Sequence, residues 1–162
     1  MERLLEACPP WFFPLLCVAL QTGCRKSELV NLLWADVVFK SALLRIRHSK
    51  NSEPRFVRLT DQAMSVLRSV PRNLSHPYVC SDPAGRSLVR GWEEKIGPDG
   101  LPQAALPYHD WPLRKELKKA RKEAEIENFD FHFCRHHVGS WLAMKEVALD
   151  ARMALLGHKT VK

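Results

Sequence analysis

The stretch FHFCRHH, residues 131–137, sets three imidazoles, a thiol and a guanidinium within seven positions. Metal ligation, phosphate binding and an ordinary helix surface could each account for it. His132 and Arg135 lie three apart, which on a helix puts them on one face, opposite Cys134 and Val138. Asp130 is a suitable N-cap, so both would sit near the positive end of the helix dipole, where anions are favoured. The start of a second helix, at Arg25, is another such place, and Lys50 offers a third cation on a loop. Guanidiniums, a lysine and imidazoles converging on one point suit a phosphodiester, whose transition state gathers charge on its non-bridging oxygens. Zinc is the competing chemistry, because His132 and His136 have the i, i+4 spacing of H-E-x-x-H. Phe133 stands where that motif needs its first-following Glu, and Arg135 would repel a cation. Taken singly, each of these side chains reads as ordinary surface; the combination is what points to an anion.

Several elements must position these groups. Trp11 to Gln21 reads as a core helix ending at the breaker Gly23, and Leu29, Leu32 and Leu33 recur at i, i+3, i+4 to predict a short amphipathic helix with Arg25 in its first turn. From Val37 to Leu59 the period changes to two. A strand at VVF, a turn at Lys40-Ser41, a strand at LLRIRH with Leu44 and Ile46 on one face, and a strand at RFVRL predict a three-stranded antiparallel sheet. The tip of its second hairpin, SKNSEP, would carry Lys50 on an exposed turn. Thr60 is placed to cap a helix whose Ala63, Val66, Leu67 and Val70 form one stripe until Pro71. Residues 72–110 are poorly legible, with YVC as a possible buried strand and a Gly- and Pro-rich loop from Gly97 to Pro107. Pro112 opens a helix with Leu113, Leu117, Ala120 and Ala124 inward and Arg114, Lys115, Lys118, Lys119, Arg121 and Lys122 outward. The helix after Asp130 is expected to bury Cys134, Val138, Trp141 and Leu142, and a last helix ends in LLGH.

Composition bounds what such a site could serve. The chain of 162 residues is about one domain long. At 46% hydrophobic and 27% charged it has globular composition, and no apolar run reaches the roughly 20 residues of a membrane span. The opening MERLLEACPPWFFPLLCVALQTG resembles a signal peptide only superficially, since Glu2 and Glu6 flank Arg3 and two prolines interrupt the run. Five cysteines, odd in number and without a C-x-x-C pair, argue against a disulfide framework and for a reducing compartment. A net charge of +7 fits a polyanionic partner without naming one.

TGCRKSELVNLLWADV resembles the T-G-x-R-x-[ST/G]-E-[LI]-x-x-L-x-W-x-D-[VI] box of the tyrosine recombinases, the phage-integrase family. HSKNSEPRFVRL is similar to that family's hairpin T-K-N-G-x-x-R-x-V-P-L, and FHFCRHHVGSWLAMKEVALDARMALLGHKT to the box H-x-L-R-H-x-x-A-S-W-L followed by L-L-G-H. The three boxes occur in family order from near residue 4 to the end. The resemblance implies an α+β fold, mainly helical with a small three-stranded antiparallel sheet, that is, the catalytic domain of DNA breaking–rejoining enzymes over residues 1–162. It implies that Arg25 and Arg135 clamp the scissile phosphate, with His158 donating to a non-bridging oxygen. Lys50 would protonate the leaving 5′ oxygen, and His132 would serve as general base or second phosphate donor. Glu28 would hold the arginine region in place and His136 would support it from behind. Arg47, Arg114, Lys118 and Lys122 would contact DNA. The reaction so implied is site-specific recombination or integration of double-stranded DNA through a phosphotyrosyl intermediate, with no metal or other cofactor. Self-association on DNA, no membrane attachment, and a bacterial or phage-encoded, nucleoid-associated cytoplasmic setting go with it.

The departures from the pattern carry expectations of their own. The family's nucleophilic tyrosine follows the L-G-H histidine by about nine residues, beyond Lys162, so this stretch is expected to be inactive as it stands. Tyr78 and Tyr108 are its two tyrosines and neither lies in a nucleophile box. The N-terminal DNA-clamping domain has no counterpart, so a catalytic-domain fragment is expected, with a non-catalytic DNA-binding module or a decayed prophage integrase as the alternative. Phe133 and Cys134 replace the usual Asp-Leu of H-D-L-R-H, and Arg152 stands at a usually apolar position. Glu125 and Glu146 occupy expected Gly turns, where a side chain at positive φ costs about 1 kcal/mol or more.

Overall fold

The apolar run near the N-terminus folds as α2 (Phe13–Thr22), with Pro14 in its first turn and Leu15 through Leu20 all buried. A helix apolar on every side belongs at the centre of a core. Around it pack α1 (Glu2–Glu6), α3 (Lys26–Val30), α4 (Asp61–Ser69) and α6 (Phe131–Met144). Two further helices, α5 (Asp110–Glu123) and α7 (Leu149–Leu156), close the outer layer against α1 and α6. This computed structural model describes residues 1–47, 54–91, 96–102 and 106–157.

Gly23 ends α2 in the left-handed conformation, φ 65°, with its N–H bonded to the Ala19 carbonyl. Both the turn and the space demand glycine here, since a Cβ would lie 2.9 Å from Leu156 Cδ2 and 3.2 Å from Val138 Cβ. Helices α6 and α7 can therefore close directly over the α2–α3 junction.

The sheet has the expected antiparallel order β1-β2-β3, with β1 (Val37–Val38), β2 (Leu43–Ile46) and β3 (Arg55–Arg58). Leu44 pairs with Val57 and Ile46 with Arg55, so Leu44, Ile46 and Val57 turn inward while Arg45 and Phe56 turn out. Thr60 caps α4 by accepting from the Ala63 N–H. Met64 is buried on that helix, whereas Val66 and Val70 are half-buried. In α5 the inward set Leu113, Leu117, Ala120 and Ala124 is buried as the spacing predicts, although the helix begins two residues before Pro112.

Three expectations need correction. Helix α3 stops at Val30, short of Leu32 and Leu33, because the backbone there is bonded elsewhere: Val79 N–H to Leu32 carbonyl at 2.9 Å and Trp34 N–H to Pro77 carbonyl at 3.0 Å. YVC supplies that pairing as a single bridge, Leu33 to Tyr78, and not as a strand of the sheet. Trp141 is 50% exposed and lines an open groove with Leu142 and Leu155. Glu125 and Glu146 adopt φ of 54° and 56°, the left-handed turns expected of them. Among the described residues no helix is long and apolar enough to cross a membrane.

Candidate functional site

Arg25 is the N-cap of α3, and its N–H donates to Glu28 Oε2 at 2.9 Å, closing the helix start on itself. Its guanidinium donates to Glu28 Oε1 at 2.8 Å and to the Gly157 carbonyl at 3.2 Å. Glu28 is nearly sealed from solvent, with 1% of its side chain exposed, and it takes a second guanidinium. Arg55 spans it with two hydrogen bonds, Nη1 to Oε1 at 3.0 Å and Nη2 to Oε2 at 2.8 Å, while Arg55 Nε donates to the Leu155 carbonyl at 3.0 Å. From α6, Arg135 reaches into the same junction and donates to the Gly23 carbonyl at 3.1 Å and to the Leu156 carbonyl. Four elements distant in sequence (α3, β3, α6 and the end of α7) are thus tied by three guanidiniums around one carboxylate.

Three positive charges against one negative leave a net charge of +2 at this junction, and the ionisation of its members reflects that. Burial pushes the Glu28 carboxyl up, but the hydrogen bonds and charge of Arg55, then those of Arg25, outweigh it and hold it at about 2. Burial works against the Arg55 cation as well, and Glu28 overcomes it, raising the guanidinium above its ordinary value. Arg135 has no such partner. Burial first, then the charge of Arg25, bring it down to about 10, with Glu28 opposing and Arg55 adding to the fall. Arg135 is only 5% exposed, so it is a desolvated cation whose counter-charge the junction does not supply.

Arg25 and Arg135 both line a cleft of about 540 Å³, together with Lys26, Ser27, Tyr108, Arg114 and His132. His132 is exposed at the N-terminal turn of α6, which Asp130 caps by accepting from the Phe133 N–H at 2.8 Å. Across the cleft Lys26 Nζ pairs with Asp110 at 2.5 Å and lies 5.9 Å from the Tyr108 ring and 5.8 Å from that of Phe131. The Asp110 carboxyl is pushed up by burial and pulled down further by the hydrogen bonds of Lys26 and Arg114, for a net fall. Tyr108 is held above its ordinary value by burial and by Asp110, so its phenol resists becoming the oxyanion a nucleophile requires. Tyr78 is 1% exposed and lies in the core.

The other residues singled out in the sequence separate into groups. Cys134 is fully buried, its thiol pushed up to about 12 chiefly by burial, and it packs as core. His136 is exposed, edge-on to His132 with ring centres 4.5 Å apart, and so does not back the site from within. His137 stacks on Phe133 at the surface. Among the described residues no three His, Cys, Asp or Glu side chains come together as a metal would require. Arg114, Lys118 and Lys122 project from α5 into solvent at four-residue spacing. Arg47 departs from the expected role: its Nε lies 2.7 Å from both oxygens of the buried Asp36, so it is committed to an internal ion pair. Lys50 and His158 lie outside the described residues.

Arg55 is the residue that sequence reasoning passed over. The signal was present in RFVRL: with Val57 and Leu59 inward, the two-residue period turns Arg55 inward too, where its charge calls for buried hydrogen-bond partners.

Residues 1–162 match the Phage integrase family. Among curated proteins, the integrase of Salmonella phage P22 is 28% identical over 163 residues, covering 99% of this chain and 40% of that protein. The tyrosine recombinase XerA of Saccharolobus solfataricus is 26% identical, covering 100% of this chain and 47% of that protein. The chain therefore spans less than half the length of these relatives. In three dimensions it is similar to a crystal structure of XerA recombinase, TM-score 0.77 at 18% identity over 98% of this chain and 54% of the other. It is also similar to a lambda integrase dimer bound to a COC′ core site, TM-score 0.66 at 18% identity over 98% of this chain and 53% of the other.

Proposed function

Because this chain belongs to the phage integrase family, we propose that residues 1–162 form the catalytic domain of a site-specific recombinase that binds double-stranded DNA and activates one phosphodiester for cleavage and rejoining. The observation that carries this reading is Arg135: a desolvated guanidinium, facing the same cleft as Arg25, in a junction with two more positive charges than negative ones. A phosphate diester entering that cleft would supply the missing negative charge, and the charge that builds on its non-bridging oxygens would strengthen the same contacts.

In this reading Arg25 and Arg135 clamp the phosphate and His132 donates to it or takes a proton from the incoming nucleophile. Glu28 and Arg55 fix the clamp without touching substrate. Lys50 is assigned to protonation of the leaving 5′ oxygen and His158 to a further phosphate contact. The nucleophile is a tyrosine from outside residues 1–162, so these residues alone bind DNA without cutting it. The raised phenol of Tyr108 and the burial of Tyr78 argue against either in that role. The P22 and XerA relatives and the DNA-bound lambda integrase dimer support a DNA substrate and assembly of more than one copy on it. These relatives support a phage or prokaryotic origin.

The test is trapping of the covalent intermediate. A chain extended through a tyrosine about nine residues past His158 is incubated with nicked suicide DNA, and the protein–DNA adduct is resolved on a denaturing gel. An adduct is expected, slowed by Lys50→Ala and abolished by Arg135→Gln. DNA binding without any adduct would instead identify a non-catalytic DNA-binding module.

A further inference from the structure

The cleft does not absorb all the imidazoles of FHFCRHH. His132 lines it, whereas His136, one turn farther along α6, stands outside its lining. Both side chains are exposed, and their ring centres lie 4.5 Å apart with the planes at 86°. Residues four apart on a helix project to the same side. At this separation a ring nitrogen of each can meet one metal ion, at about 2.0–2.1 Å, by side-chain rotation alone.

Phe133, standing where H-E-x-x-H carries its glutamate, removes the general base of a metallohydrolase and leaves the ligand pair intact. The pair is too small for a resident ion, since no third His, Cys, Asp or Glu joins it among the described residues. It is sufficient for an exchangeable ion whose remaining positions are filled by water. Arg135, the cation nearest in sequence, is buried and turned inward to the Gly23 and Leu156 carbonyls. Its charge and the positive end of α6 weaken such a site without blocking it. Rival ligands among the described residues are poor. His76 is buried, His109 stands on another segment and His137 stacks on Phe133. The five cysteines are buried or half-buried, and burial raises each thiol above its ordinary value.

We propose that His132 and His136 form a two-imidazole chelate for a divalent first-row transition-metal ion such as Ni²⁺, Cu²⁺ or Zn²⁺, and that its binding reversibly switches off the cleft. Imidazole suits these ions, whereas Mg²⁺ prefers oxygen. Ligation occupies the lone pair of His132 and turns its ring toward His136. The ring then neither takes the nucleophile's proton nor keeps its aim into the cleft. The chelate stands on the geometry of α6 by itself; its effect on cleavage rests on the DNA reading above.

The experiment titrates the chain calorimetrically with Ni²⁺ and follows its melting temperature. One ion per chain is expected, raising the melting temperature because the folded pair is what binds it, and Mg²⁺ should give no signal. His132→Gln and His136→Gln should each weaken Ni²⁺ binding at least about tenfold, since a single imidazole forfeits the chelate. His137→Gln, one position round the helix, is the control and binds as wild type. In the tyrosine-extended chain Ni²⁺ should slow adduct formation about tenfold or more, as loss of a general base does. A chelator should restore the rate, and the ratio of rates with and without Ni²⁺ should approach one in His136→Gln. Wild-type Ni²⁺ affinity in both His132→Gln and His136→Gln overturns the chelate. A chelate that forms while the adduct rate ignores Ni²⁺ overturns the switch. Failure of the DNA reading looks different: no adduct forms in the absence of metal, while the titration still decides the chelate.

Discussion

The two concentrations of positive charge beside the main cleft are built in opposite ways. At the junction of α3, β3, α6 and α7, Arg55 and Arg135 are withdrawn from water, Arg25 is half-buried, and all three are fixed by the buried Glu28 or by four backbone carbonyls. On α5, Arg114, Lys118 and Lys122 stand in solvent, the first of them paired with Asp110. Desolvated charges interact strongly and tolerate no missing partner, whereas solvated ones are screened and contribute little to folding. The junction should therefore couple stability to activity, and the α5 face should contribute to binding alone.

The largest expected effect comes from removing the carboxylate. Glu28→Gln leaves Arg55 buried without its carboxylate and adds to the uncompensated positive charge around Arg135, and should cost about 3–5 kcal/mol in chemical denaturation at neutral pH. Its pH dependence has a definite sign. A carboxyl at about 2 when folded and near its ordinary 4.5 when unfolded contributes its full stability above pH 4.5. That contribution, about 3 kcal/mol, is lost as pH falls from 4.5 toward 2. The stability gap between wild type and Glu28→Gln should accordingly narrow over this window, which separates Glu28 from Asp82 and Asp110, whose lowered carboxyls remain in both proteins. A gap that stays constant would place the junction on the same footing as the α5 face.

The junction also shows how far residue order reveals three-dimensional chemistry. An unbroken apolar run exposed α2, and periodicity exposed the three strands and α5, because each of these buries a regular stripe. Spacing put His132 and Arg135 on one face, and the boxes brought Arg25 to the same cleft. Arg55 was missed because a cation in a two-residue pattern looks like a solvent position until its face is counted. The ion pair of Arg47 was hidden for the converse reason: nothing local in LLRIRH shows that Asp36, eleven residues earlier, waits for it. Residues 72–110 give no period to read, and the described ones among them bond through single bridges and contacts with residues far off in sequence, such as Leu32 and Asn31. Trp141 had the right spacing and the wrong outcome, since periodicity says which face is apolar and not how far the covering elements extend.

A second substitution sharpens the contrast from inside the junction. Arg135 differs from Arg55 in having carbonyl partners and no carboxylate, and burial together with Arg25 disfavours its charge. Arg135→Gln removes that like-charge repulsion and keeps one amide donor for the Gly23 or Leu156 carbonyl. Stability should thus change by less than about 1 kcal/mol in thermal denaturation, while duplex affinity falls more than tenfold, about 2 kcal/mol for lost charge-assisted bonds. A large loss of stability with affinity intact would assign Arg135 to the fold and remove the observation on which the proposed function stands.

The smallest expected effect tests the other side of the contrast. Lys118 and Lys122 are exposed and four apart on α5, and neither has a hydrogen bond or an ion pair among the described residues. Lys118→Gln and Lys122→Gln should each shift stability by no more than about 0.5 kcal/mol, since glutamine keeps the helix propensity and no buried group is touched. If the duplex lies along α5, each should lower the slope of log affinity against log salt by about one, independent of sequence. The double variant should then lower it by about two, for separate phosphates release separate counterions. A slope unchanged in the double variant would make this face a solvated surface only, and the DNA would have to leave the Arg25–Arg135 cleft in another direction.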